Sequence, residues 1–373
     1  MRKSPLSLLL LLLFSPLVAE ENPFTNAKPR MFLQAEYLYF WLKGTPEPPL
    51  LVTENETALL GGTSLHTGPQ SGARFSLTYK FGSSRFFGLD ANYLFLEKDS
   101  YSKSVSSDGD LGSAHLTIPY FNIVTFQESE TNLSLPGRFS GEATLKVTNE
   151  LQEAEANGTF KLLPRRLPVD LQLLTGFLWW DFEEKLTFTT SSPSIIPPLD
   201  TFYTKDEFKT SNEFYGGQVG LKSEVFWNRL SLQLKAEAAF GLMCSELRIN
   251  GMLVTNDFNG LQETETFPAG YFGLPSNTGN FKRQYFSIIP QGVARLYFHL
   301  TRYLSLDIGY TFLYVTKTLW ATNSLDSLIN PSQAPAISGS PSITLVGPAF
   351  PEPLFETKDF WMQGLTLGVQ LRF

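Results

Sequence analysis

The stretch LSLQLKAEAAF, residues 230–240, decides the fold. Leu230, Leu232, Leu234, Ala236, Ala238 and Phe240 alternate with Ser231, Gln233, Lys235 and Glu237. Successive side chains of a strand point to opposite faces, so one face here is apolar throughout and the other polar or charged. Strands of soluble sheets alternate too, but average about five or six residues. A tilted strand that crosses a bilayer needs about 9–11. This stretch has that length.

The pattern recurs along the chain. Ala73, Phe75, Leu77, Tyr79 and Phe81 alternate with Arg74, Ser76, Thr78 and Lys80, and Phe87, Leu89, Ala91, Tyr93 and Phe95 with Gly88, Asp90 and Asn92. Leu304 to Tyr314 repeats it around Ser305, Asp307, Gly309 and Thr311. The final stretch carries Leu365, Leu367, Val369, Leu371 and Phe373 at every second position. It resembles the signal that outer-membrane barrels present to the barrel-assembly machinery, which adds the last strand by edge pairing. Ten main strands emerge, at about 30–43, 71–81, 86–97, 149–163, 167–187, 207–226, 230–247, 283–298, 303–318 and 359–373. Short connections alternate with long ones, at roughly 44–68, 98–148, 189–206, 250–281 and 319–358. That is the arrangement of short periplasmic turns and long outer loops. A structureless loop of fifty residues is improbable, so 115–126 and 141–148 are expected to pair as a further hairpin, which would raise the count toward twelve.

Composition agrees. Only 17% of residues are charged while 14% are aromatic, against about 25% charged in soluble domains. After residue 19 no run of 18 apolar residues occurs, which excludes a spanning helix there. In lipid every backbone polar group must then be satisfied by a closed sheet. The expected fold is all-β, a single antiparallel up-and-down transmembrane barrel. Tyr37, Tyr39, Trp41, Trp179, Trp180, Trp227 and Trp361 are expected at its interfaces, where amphipathic rings favour the headgroup level. Arg2 and Lys3, an apolar core from Leu8 to Phe14, and Ala19 form a signal peptide over 1–19, with the barrel in 20–373. The chain carries a net charge of −7, which speaks against nucleic-acid binding.

Several blocks also resemble a known family. FLQAEYLYFWLKG (32–44), GARFSLTYKF (72–81), LLTGFLWWDFEEKLTF (173–188), FKTSNEFYGGQVGL (208–221) and FWMQGLTLGVQLRF (360–373) are similar, in the same order, to the putative beta-barrel porin family 7. Leu178 stands where that family often has Arg. The resemblance implies an outer-membrane barrel and no established solute.

With the apolar faces toward lipid, the opposite faces line the lumen. The candidate lining residues are Arg74, Asp90, Glu155, Asp170, Lys222, Glu224, Lys235, Glu237, Arg295, Asp307 and Arg372, joined by Glu36 and Lys80. They either tune a polar pathway for ions or small solutes or pair across a filled interior. Eight-stranded barrels are filled by side chains, and sixteen to eighteen strands leave a channel. Ten strands lie nearer the filled limit, so cross-lumen pairing is favoured. His66, His115 and His299 lie in separate segments, and no Gly-x-Ser-x-Gly or His-Glu-x-x-His motif occurs. No enzyme, metal site or cofactor is expected. Asp108-Gly109-Asp110 reads as a solvated turn rather than a calcium loop, and Cys244 as a small residue, buried or lipid-facing, and not a nucleophile. The leading functional expectation is a narrow, porin-like channel with outer-membrane lipids as partners. The alternative is a surface-interaction protein that uses the barrel as an anchor, because loops on a rigid scaffold often carry recognition.

Overall fold

The computed structural model describes residues 29–46, 48–65, 68–82, 85–163, 169–197, 199–256 and 264–373. Ten strands form the wall: β1 (Met31–Leu42), β2 (Pro69–Lys80), β3 (Phe87–Ser107), β4 (Gly141–Lys161), β5 (Val169–Pro193), β6 (Thr201–Trp227), β7 (Leu230–Thr255), β8 (Gly279–His299), β9 (Leu304–Leu319) and β10 (Thr357–Arg372). Each pairs antiparallel with its neighbour in sequence. β1 pairs with β10, Leu33 opposite Leu371, and closes the sheet. The end of the chain is sewn into this seam, where Phe373 N–H donates to the Met31 carbonyl at 2.9 Å. Leu365, Leu367, Val369, Leu371 and Phe373 all face outward from it.

The outer surface explains why these segments became strands. Leu33, Phe75, Leu77, Leu89, Val219, Leu234, Ile308 and Leu367 are large, apolar and exposed, each on the outward side of the pleat. Such a belt is stable only against hydrocarbon. One rim carries Tyr39 and Trp41, packed edge to face at 5.3 Å. At the same rim Tyr93 donates to Gln152 at 2.9 Å and Tyr310 to Gln363 at 2.6 Å. The other rim exposes Phe81, Phe86, Tyr303 and Phe373. Cys244 is half-buried on the outward face, opposite Glu213. Trp180 departs from the expected girdle. It is fully buried and points into the barrel.

The wall is taller than the sequence reading allowed. Strands β3 to β8 run 21–27 residues, about twice or more what a bilayer needs. The expected loops 98–148, 189–206 and 250–281 shrink accordingly to 108–140, 194–200 and 256–278. The physical reason is an inversion of pattern. Inside the lipid belt, apolar side chains face out and polar ones in. Above it, Leu145, Val147, Leu186, Phe188, Phe208, Leu247 and Ile249 face in and are buried. Their outward neighbours Lys185 and Glu207 pair at 2.9 Å, and Lys209 and Glu183 at 2.7 Å. That surface meets water.

The extra hairpin also forms differently. Leu116–Asn122 pairs with Gln127–Ser134 outside the barrel, while residues 141–148 continue β4 against β3. The number of wall strands therefore stays ten. Short strands Leu51–Thr53, Ala58–Leu60 and Leu328–Ile329 join that hairpin in a small sheet over the barrel mouth. The expected signal peptide, the turn at 164–166 and His66 lie outside the described residues.

The two faces of β7 set the first test. Leu234→Arg places a guanidinium in the hydrocarbon belt near its middle and should cost about 2–4 kcal/mol. The check is the denaturant midpoint of protein refolded into lipid. An unchanged midpoint would contradict the belt.

Candidate functional site: the barrel interior

All eleven sequence-nominated lining residues project into the barrel, and they divide into layers. At the mouth on the short-turn side Lys80 and Lys161 share Asp170, at 3.5 and 3.2 Å. Arg372 donates to Gln370 Oε1 at 2.8 Å and to Nδ1 of His299 at 2.9 Å, and Ser231 donates to Glu224 at 2.7 Å.

Deeper in, the charges interlock. Glu36 accepts a two-pronged bond from Arg295, at 2.8 and 2.9 Å, with Arg74 at 3.4 Å on the same carboxylate. Two parallel N–H···O bonds fix both groups in orientation. Lys222 holds Asp90 at 2.8 Å. Lys235 bridges Glu155 and Glu237, and Gln291 Nε2 donates to both carboxylates at 3.0 Å. Gln34 serves Asp307 at 3.0 Å. Glu36, rather than Asp307 or Asp90, is thus the centre of the arginine cluster. Carboxamides also matter: Gln218 donates to Glu155 at 3.1 Å, Asn157 to Glu237 at 3.1 Å, and Gln233 accepts from Arg295 at 3.2 Å. Sequence reasoning weighed charge and passed over these amides, although they occupy the same inward register. Between these groups remains a cavity of about 50 Å³, room for a few waters and too little for a solute.

Above the charged layer the lumen is filled by apolar side chains. Leu38, Phe40, Leu94, Leu96, Leu151, Leu178, Trp180, Phe182, Phe214, Met243, Leu313, Phe360 and Met362 form one buried apolar cluster, completed by Trp320 from the loop after β9. Phe182 and Phe360 have ring centroids 5.0 Å apart, and Phe182 and Trp320 5.2 Å. Two glycines make room for the rings. A Cβ on Gly364 would lie 2.2 Å from the Phe40 ring, and one on Gly216 2.4 Å from the Phe214 ring. A signal for this tier exists in the sequence. Tyr39-Phe40, Phe95-Leu96, Trp179-Trp180, Phe214-Tyr215, Leu242-Met243, Phe312-Leu313 and Trp361-Met362 are apolar doublets that break the alternation. In each pair one residue faces the belt and the other joins the cluster.

Over the tier, three polar side chains of the wall hold the incoming loops. Asn212 both accepts from and donates to the backbone of Leu319, each at 2.8 Å. Glu184 accepts from the amides of Ala321 and Thr322 at 2.7 and 3.3 Å. Asp206 accepts from the amides of Tyr271, Phe272 and Gly273 at 3.0, 3.1 and 2.6 Å. Both carboxylates lie above the lipid belt. Burial raises Glu184 to about 7 and Asp206 to about 6, outweighing the amide bonds that favour the charged form. A second apolar cluster, including Leu50, Leu116, Leu133, Phe188, Phe208, Phe272 and Ile329, fills the dome above. Among the described residues no group of three or more His, Cys, Asp or Glu could hold a metal ion.

The sequence profile of the family described as Putative beta barrel porin-7 matches residues 32–373. No curated protein matches the chain. Among solved structures, the outer membrane protease OmpT from Escherichia coli aligns at 10% identity and TM-score 0.40, covering 96% of this chain and 99% of that one. A Pseudomonas aeruginosa FadL homologue aligns at 9% and TM-score 0.23, over 95% and 93%. The P. putida toluene transporter TodX aligns at 7% and TM-score 0.23, over 95% and 93%. These likenesses say nothing about activity.

Two outcomes follow from this interior. Lys235→Met leaves Glu155 and Glu237 buried without their cation, a change that costs about 3–5 kcal/mol. Adding Glu155→Gln and Glu237→Gln should recover much of that loss in the unfolding midpoint, and no recovery would mean the lysine acts otherwise. The second concerns pH. Glu184 and Asp206 have folded values above their ordinary ones, so their contribution is complete below about 4 and fades as pH rises through 6 and 7. Hydrogen-exchange protection of 270–273 and 320–322, corrected for intrinsic rate, should fall from pH 5 to pH 8. The pair Glu184→Gln and Asp206→Asn should flatten that slope, whereas an unaltered slope would remove these two groups from the account.

Proposed function

Because the chain belongs to the family described as Putative beta barrel porin-7, we propose that it is an outer-membrane barrel closed in its resting state, with its outer dome as the working surface. One observation carries this reading: Trp180, Phe182, Phe214 and Phe360 are all fully buried inside a ten-stranded wall. An apolar tier of this kind opposes hydrated ions and polar solutes, since each would shed its water there. The charges beneath it neutralise one another rather than line a path. The barrel then serves as a membrane anchor for a folded dome, exported through a signal peptide at 1–19, inserted by the barrel-assembly machinery and without catalytic activity of its own.

A second reading is a narrow channel that opens by displacement of the tier. The small polar cavity below the tier supports it, being a polar-lined space that would form one half of a pathway. Conductance in planar bilayers separates the two. The closed-barrel reading expects a silent membrane with wild-type protein. It also expects silence from the combined Arg74→Ala, Lys235→Ala and Arg295→Ala variant, because the tier remains intact. Phe182→Gly with Phe360→Gly should pass current. Regular conductance steps from wild type would overturn the closed reading and favour the channel.

A further inference from the structure

The two ends of the barrel carry opposite charge. Among the described residues, the loops at the tall end, within 43–68, 108–140, 194–200, 256–278 and 320–356, hold eleven Asp or Glu against two Lys or Arg. Of those two cations, Lys43 is held by Asp359 at 2.6 Å, which leaves Arg138. Among the described residues, the turns at the other end, within 81–86, 162–168, 228–229 and 300–303, hold three Arg and no acid. A field of one sign over a whole face selects partners of the other sign and speeds their arrival.

Within that acidic crown one place offers more than charge. The hairpin of Leu116–Asn122 and Gln127–Ser134 stands over the mouth. Its inner strand is covered by Leu51–Thr53 and Leu328–Ile329, whereas among the described residues Gln127–Ser134 pairs with no strand on its other side. The foot of that outer strand is fixed: Ser192 donates to the Leu133 carbonyl at 2.8 Å, and His115 sits between Asn132 at 2.7 Å and Glu54 at 2.9 Å. The stretch above the foot is an open edge carrying the exposed Glu128 and Glu130. At its tip Phe126 is 71% exposed with φ of 55°, and Val124 is exposed beside it. A bulky residue rarely adopts that backbone region, and here it holds an aromatic ring out in water.

We infer that this edge, with Phe126 at its tip, is a docking site for a cationic, extended segment of another polypeptide. Such a segment adds a strand to residues 127–132, sets Lys or Arg against Glu128 and Glu130, and places an apolar side chain on Phe126 and Val124. Main-chain bonds supply affinity in this mode and alternate side chains supply selectivity. The inference rests on the reading of the dome as the working surface and names the chemistry of its partner.

The probe is a dodecapeptide of alternating Lys and Val, compared with Ser-Val and Glu-Val peptides of equal length. Affinities are measured calorimetrically on refolded full-length protein in lipid nanodiscs. The lysine peptide should bind at least tenfold more tightly than the serine peptide and lose at least tenfold between 50 and 500 mM salt. Glu128→Lys with Glu130→Lys should abolish its binding, Phe126→Ser should weaken it severalfold, and Glu246→Lys on the β7 wall should leave it unchanged. Equal binding of the serine peptide, absence of binding, or equal loss in the Glu246→Lys protein would each overturn the site. Self-association of the wild type that Glu128→Lys with Glu130→Lys removes would assign the edge to a second copy and overturn it as well. A conducting barrel that still binds the lysine peptide through this edge would sink the closed-barrel reading alone.

Discussion

Everything in this molecule follows from which solvent each side of one continuous sheet must meet. Around the belt the outside is hydrocarbon, so the apolar side chains turn outward and the polar ones are left to satisfy one another inside a narrow lumen. Above the belt the outside is water, so the same strands turn their apolar side chains inward. The crossover is the tier of Phe40, Trp180, Phe182, Phe214 and Phe360. A barrel of ten strands is too narrow to carry that crossover without closing its own interior.

The charged layer beneath is a consequence of the same confinement. Ions in a narrow, largely dry space gain little from water, and single unpaired charges there are expensive. Most of the strong charges therefore have a partner: Glu36 with Arg295 and Arg74, Asp90 with Lys222, Glu155 and Glu237 with Lys235. Glu153, buried in the same layer, keeps one carboxylate oxygen unbonded among the described residues. Carboxamides add further bonds to these carboxylates, Gln218 to Glu155, Asn157 to Glu237 and Gln291 to both. Two loops are held where the wall offers an acceptor, Asp206 and Glu184 each bonding a set of backbone amides.

The fold was legible because alternation over ten or more residues has few other physical causes, and the strand count and seam followed from it. The lumen lining was legible for the same reason, since Lys235 and Glu237 sit between Leu234, Ala236 and Ala238. What escaped were features for which alternation is silent. Trp179-Trp180 reads as two interface residues until the inversion is recognised, whereupon Trp180 belongs inside. The strand ends at 107 and 193 lie in polar-looking sequence because there the outward face meets water. The pairing of Leu116–Asn122 with Gln127–Ser134 depends on the dome around it, and no local pattern distinguishes it from pairing with 141–148.

The claim on which the rest depends is that the tier is sealed, and thiol accessibility reports on it directly. In a Cys244→Ser background, Thr78→Cys lines the polar cavity and Met243→Cys replaces a buried tier residue of similar size. A membrane-impermeant thiol reagent supplied to both faces of protein in nanodiscs should modify Thr78→Cys and leave Met243→Cys unreacted until the protein unfolds. Modification of Met243→Cys in the folded barrel at a rate comparable with Thr78→Cys would mean that water passes the tier.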